Sequence, residues 1–153
     1  MSAVDELITW LRAQLDEDER VAIAIQGDRY GDNDDGRWRN WTIEEHEDRH
    51  GPYLSALGVE LVHSYADNVI TPQRGEHIAR WDPARVLAEV KAKRRILDEH
   101  AYAPKSDSCR TCWRSNRGGT AREASPCPTV RLLAQPYAGR DGWQESWRAT
   151  PDS

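Results

Sequence analysis

The sequence predicts a single α+β domain, mostly helical. It has N-terminal amphipathic helices, a small β-hairpin, a long central helix and a C-terminal zinc knuckle. Three observations predict it. Apolar residues recur at helical spacing over 4–15 and again over 86–97. Short β-rich runs flank a tight connection between 58 and 71. Three cysteines, at 109, 112 and 127, follow a histidine at position 100. A body over 1–100 and a zinc-knuckle subdomain over 101–153 packed on it are expected.

In the first element, Val4, Leu7, Ile8, Leu11 and Leu15 share one helix face. Ser2 followed by Asp5 reads as a capping-box start. After the acidic run Asp16–Glu19, read as a solvated face, Val21, Ile23 and Ile25 extend the helix to about Gln26, continuous or kinked. From Gly27 to Gly36 the chain is rich in turn formers and reads as a loop. A calcium register from Asp32 fails, because Gly36 falls at its fifth position and Ile43 at its twelfth, where a bidentate Glu is required. Trp38 and Trp41, flanked by Arg37 and Arg39, read as core aromatics with solubilising neighbours.

Gly58–Ser64 and Asn68–Thr71 read as the two strands of the hairpin, joined at Tyr65-Ala66-Asp67. Asp82-Pro83 is an N-cap followed by proline at N1. The helix that begins there carries Val86, Leu87, Val90, Ile96 and Leu97 on one stripe and runs to about His100. Its other face carries Lys91, Lys93, Arg94 and Arg95. Beyond the cysteines, Thr129–Ala134 reads as a short helix, and Tyr137, Trp143 and Trp147 as an aromatic clasp.

Composition narrows the function classes. Leu, Ile and Val number 25 of 153 residues and Phe is absent, so the core is poor and gains from an external staple. Seven Trp and a net charge of −5 argue for folding over disorder. No apolar run approaches the roughly 18 residues a membrane span requires, and the acidic N-terminus does not read as a signal peptide. A cytoplasmic setting is expected, in which three cysteines ligate metal rather than form disulfides. Residues 1–50 carry a net charge of −8 and 101–153 a net +3. That balance disfavours a general phosphate-backbone binder.

Cys109-x2-Cys112 points two thiolates at one ion while the amides of the intervening turn face the sulfurs. Cys127 supplies a third thiolate and His100 the natural fourth ligand. This Cys3His set suits structural zinc, closed to substrate; three unligated thiols, a redox pair of Cys109 and Cys112, and an iron–sulfur cluster are the alternatives. Ser106–Pro126 has almost no aliphatic residues and reads as a coreless loop that the metal must order. Lys105, Arg110, Arg114, Arg117 and Arg122 against Asp107 give 105–122 a net +4. With Trp113 to stack a base, Arg110, Arg114, Arg117 and Arg122 form a tentative macromolecule-binding surface. His46-Glu47-Asp48-Arg49-His50 matches the metallopeptidase H-E-x-x-H pattern. However, both variable positions are charged, and Gly51-Pro52 ends any helix just past the second histidine.

Residues 77–87 (His-Ile-Ala-Arg-Trp-Asp-Pro-Ala-Arg-Val-Leu) and 91–97 (Lys-Ala-Lys-Arg-Arg-Ile-Leu) resemble a family of short uncharacterised proteins from actinobacteria and their phages. So do 126–134 (Pro-Cys-Pro-Thr-Val-Arg-Leu-Leu-Ala), Pro136-Tyr137-Ala138, Trp147-Arg148 and the opening 11–19. The resemblance covers both ends well and 28–64 poorly. Trp81 stands where that family usually has another His. The family is catalogued as a domain of unknown function, so the resemblance implies a host range and a zinc knuckle rather than an activity. The sequence therefore points first to a zinc-stabilised, non-catalytic binding protein acting on a host or phage macromolecule, most readily a protein. A nucleic-acid-binding regulator using the basic knuckle is the second reading. A zinc hydrolase using His46, Glu47 and His50 is a distant third.

Overall fold

The computed structural model describes residues 3–24, 39–44, 53–56, 59–62, 71–100, 108–116 and 118–149. They form an α+β fold: α1 (Ala3–Ala24), β1 (Thr42–Glu44), β2 (Tyr53–Ala56), β3 (Val59–Val62), α2 (Pro72–Arg80), α3 (Pro83–Glu99), β4 (Ser108–Asn116), β5 (Gly119–Ala124) and α4 (Pro128–Ala134). Two short 3-10 turns, Gln135–Tyr137 and Glu145–Trp147, follow. None of the described helices is long and apolar enough to cross a membrane. The contacts fall into two compact units, Met1–Glu17 with Val90–Ser153, and Asp18–Glu89.

The first unit holds the cysteines. Leu7, Leu11 and Leu15 are buried along one face of α1, as their spacing predicts. Val90 and Leu97, two helical turns apart on α3, are buried in the same unit. Arg12 pairs with Asp98 at 2.9 Å, and Asp16 with Arg94 at 2.6 Å. Partners ascend on α1 as they descend on α3, so the two helices run antiparallel through this unit. Both pairs are well exposed, so they set register more than they stabilise.

The basic residues of α3 are not all on its outer face. Lys93 donates to the Tyr137 hydroxyl at 3.2 Å, and Arg94 turns to α1. Ile96, expected in the stripe, is instead 36% exposed. A long basic stem can cover apolar surface while its charged end finds an acceptor, and hydrophobic spacing alone does not reveal that.

The aromatic clasp forms around a residue outside the sequence expectation. Trp10 of α1 stacks on Trp143 and Trp147 with ring centroids 5.6 and 5.3 Å apart, and those two meet each other edge-on at 5.9 Å. The Trp10 indole N–H donates to the Asp141 carbonyl at 2.9 Å. Gly142 holds a φ of 82°, and a Cβ there would lie 3.0 Å from Trp10 Nε1. Glycine is needed at this point twice over.

In the second unit, β1, β2 and β3 make an antiparallel sheet in chain order. Of the expected strand over 58–64, Val59–Val62 is a strand, and it pairs with Tyr53–Ala56. Thr71, expected to end the second strand, is instead the N-cap of α2: its hydroxyl accepts the Arg74 amide and Pro72 takes N1. Residues 68–70 lie outside the described residues. Register places Thr42 opposite Ser55 and Glu44 opposite Tyr53. The fully buried Ser55 hydroxyl is thereby satisfied, by Glu44 and by Thr42 at 3.0 Å.

Asp82 caps α3 as expected, accepting the Arg85 amide at 2.8 Å. Its second oxygen takes the Trp41 amide at 3.3 Å. In α1 the helix continues through the acidic run without a break. Ala22 is buried there, while Val21 and Ile23 are 47% and 44% exposed, because Ala22 lies two turns beyond Leu15 on the same face. The loop at 27–36, Trp38 and the His46-Glu47-x-x-His50 match fall outside the described residues.

Candidate metal centre

The stretch read as a coreless loop is a β-hairpin. Its strands leave the hydrophobic alternation of ordinary strands unused, since β5 is exposed at every position except the half-buried Glu123. Between the pairs Ser108↔Ala124 and Trp113↔Arg122, four residues of β4 oppose one of β5. Those four are Cys109, Arg110, Thr111 and Cys112. The C-x-x-C segment is thus expelled from the ladder as a bulge.

The expelled turn curls around one sulfur. The Thr111 and Cys112 amides donate to Cys109 Sγ at 3.5 and 3.3 Å, as the two-residue cysteine spacing predicts. Bulging also strips the Cys109 and Arg110 carbonyls of ladder partners. Arg122 replaces them, donating to Cys109 at 3.2 Å and to Arg110. Thr111 donates its hydroxyl to the Glu99 carbonyl at 2.5 Å, which ties the turn to one of the open carbonyls at the end of α3.

Two other chain positions converge on this knuckle. His100 follows the last residue of α3. Its Nδ1 lies 3.6 Å from Cys109 Sγ, 3.3 Å from Cys112 Sγ and 3.5 Å from Cys127 Sγ. Cys127 is the N-cap of α4, with Pro128 at N1, and is fully buried. All four ligand atoms lie within 4.8 Å of one another and can hold a metal ion. A regular tetrahedron with metal–sulfur bonds of about 2.3 Å and a metal–nitrogen bond of about 2.0 Å spaces sulfur and nitrogen about 3.5 Å apart. The observed separations match that cage.

The sulfurs differ in environment. Burial pushes the Cys127 thiol up to about 12, with Cys109 and Cys112 adding to the rise and the Val130 amide opposing it. For Cys109 burial also opposes the anion, but the amides of Cys112 and Thr111 together with hydrogen bonds from the Cys127 and Cys112 side chains outweigh it and hold the thiol below its ordinary value. Cys112 is half-buried and faces the Thr129 hydroxyl at 3.7 Å.

The expected binding surface is only partly assembled. Arg114 pairs with Glu123 at 3.2 Å, and Arg122 stacks on Trp113 at 4.7 Å while holding the knuckle carbonyls. Arg110 and Trp113 are exposed, Trp113 by 58%. Lys105 and Arg117 lie outside the described residues. The net +4 over 105–122 ends one residue short of Glu123, which is why it overstates the patch. Thr111, Thr129 and the structural use of Arg122 were not legible as site features; the only signal was a hydroxyl residue inside the C-x-x-C and another two after Cys127. An open groove of about 440 Å³ runs beside His100, lined by Ala92, Arg95, Ile96, Glu99 and Thr111.

The model of a family of unknown function (DUF6221) matches residues 4–149. Neither a curated protein nor a solved structure matches the chain.

Proposed function

The chain belongs to this family of unknown function, and from its own residues we propose a zinc-stabilised, non-catalytic binding protein whose partner is another protein of host or phage. One observation carries the reading: three thiolates and one imidazole converge on a single point with no oxygen donor among them. That soft, complete tetrahedral set suits zinc and leaves no position for a substrate or an activated water. Iron–sulfur clusters are ordinarily held by four thiolates, one more than the site offers. Zinc is here a structural ion whose chemistry is to fix α3, the hairpin and α4 together.

Zinc requires its sulfur ligands deprotonated. With its thiol raised to about 12, Cys127 carries a proton at neutral pH in the metal-free protein and must lose it on binding. Affinity for zinc is therefore expected to rise with pH, about tenfold per unit for each proton displaced. Calorimetry in buffers of different ionisation enthalpy counts those protons. A count of zero would contradict the ligand role of Cys127.

A protein partner is favoured over nucleic acid because Arg114 and Arg122 already have partners within the hairpin. The exposed Trp113 and the apolar groove bearing Ile96 are instead the kind of surface that anchors a protein interface. In the Arg110→Ala, Arg114→Ala, Arg117→Ala triple variant with zinc retained, partner capture through Trp113 is expected to persist. Salt-dependent DNA or RNA binding by the native chain that disappears in this variant would establish the nucleic-acid reading instead, since each lost phosphate contact lowers the salt slope by about 0.9 on duplex DNA.

A further inference from the structure

The three thiolates of the centre are unequal in access and in how fully their charge is neutralised. Cys109 and Cys127 are sealed, each with no exposed surface. Cys109 in addition receives two backbone N–H donors, at 3.3 and 3.5 Å. Cys112 is half-buried and, besides the other two sulfurs of the cluster, faces the Thr129 hydroxyl at 3.7 Å and the shared imidazole at 3.3 Å. It is followed by Trp113, which is itself 58% exposed. Attack by a thiolate depends on access and on the electron density left at sulfur, and hydrogen bonds to the sulfur reduce that density. Both factors favour the same atom.

We propose that Cys112 is a modification site for two-electron oxidants of the hydroperoxide class, with Cys109 as the resolving thiol, an inference that rests on the zinc reading above. The Cys112 thiolate attacks the terminal peroxide oxygen, and the O–O bond breaks. The sulfur becomes a sulfenic acid, and the departing alkoxide takes a proton to give an alcohol, or water from hydrogen peroxide. The Cys109 thiolate, lying against the Cys112 backbone, then attacks the oxidised sulfur. The S–O bond breaks and hydroxide leaves, protonated to water, as a disulfide forms. Two thiolates have lost two electrons and the peroxide has gained them. Zinc retains only His100 and Cys127 and is released. The hairpin, which buries little of its own surface, then loses its tie to α3 and α4.

The test uses the full-length zinc-loaded chain and hydrogen peroxide, with metal content measured first. One zinc is expected to appear on a coloured chelator per peroxide consumed. Peptide mapping is expected to find a Cys109–Cys112 disulfide, and thiol reductant plus zinc to restore the native state. Thr129→Val, which leaves all four ligands in place, removes the hydroxyl donor and is expected to speed release about threefold. Retention of zinc under stoichiometric peroxide, a disulfide that includes Cys127, or an unchanged rate in Thr129→Val would overturn the assignment and leave the metal centre standing. A chain that binds no zinc would overturn both.

Discussion

Chelating the metal is expected to abolish hydrogen-exchange protection over Ser108–Ala124 and α4, while the β1–β2–β3 sheet keeps its own. The cause is local. Among the described hairpin residues only Cys109 is buried, and Cys109 belongs to the candidate ligand set. An isolated two-stranded hairpin is marginal in water, and here no apolar face compensates. Structural zinc supplies roughly 10–16 kcal/mol of apparent binding energy, as much as the whole stability of a typical domain, about 5–15 kcal/mol. Cys127→Ser is expected to act like the chelator, because it removes a buried ligand at the start of α4. Protection around Cys109 that survives metal removal would show that the hairpin is held by something else.

The second large effect belongs to the aromatic clasp. Trp147→Ala is expected to destabilise the unit containing it by about 3–5 kcal/mol, the usual cost of removing a buried large aromatic. Trp147 is 4% exposed and packs on both Trp10 and Trp143. Gly142→Ala is expected to cost less, about 1–3 kcal/mol, through its backbone conformation and the approach of Trp10. Urea unfolding followed by Trp fluorescence, with zinc saturating, measures both. Equal midpoints for Trp147→Ala and the native chain would mean that the clasp does not support the metal-bearing unit.

What was legible in the sequence is what local periodicity or ligand chemistry encodes. Leu7, Leu11 and Leu15 specify the buried face of α1, and Asp82-Pro83 specifies the start of α3. The spacing of Cys109 and Cys112, with Cys127 and His100, specifies a point in space regardless of the backbone that delivers it. The strands were harder to read for two reasons. Val59–Val62 was recognisable as a strand, but its partner Tyr53–Ala56 has four residues buried alike, so it shows no alternation. Beta-strands β4 and β5 carry almost no apolar residues, because a ladder and a ligand cluster replace the core beneath them. Trp10 escaped notice because its partners lie more than 130 residues away.

The most direct measurement is X-ray absorption at the zinc edge on the purified chain, with metal counted per molecule. One zinc per chain is expected, in a shell of three sulfurs at about 2.3 Å and one nitrogen at about 2.0 Å. The sulfur count should fall to two in any Cys109→Ser, Cys112→Ser or Cys127→Ser protein that still holds the ion. A folded, metal-free chain, or a zinc shell dominated by oxygen, would contradict a structural centre built from His100, Cys109, Cys112 and Cys127.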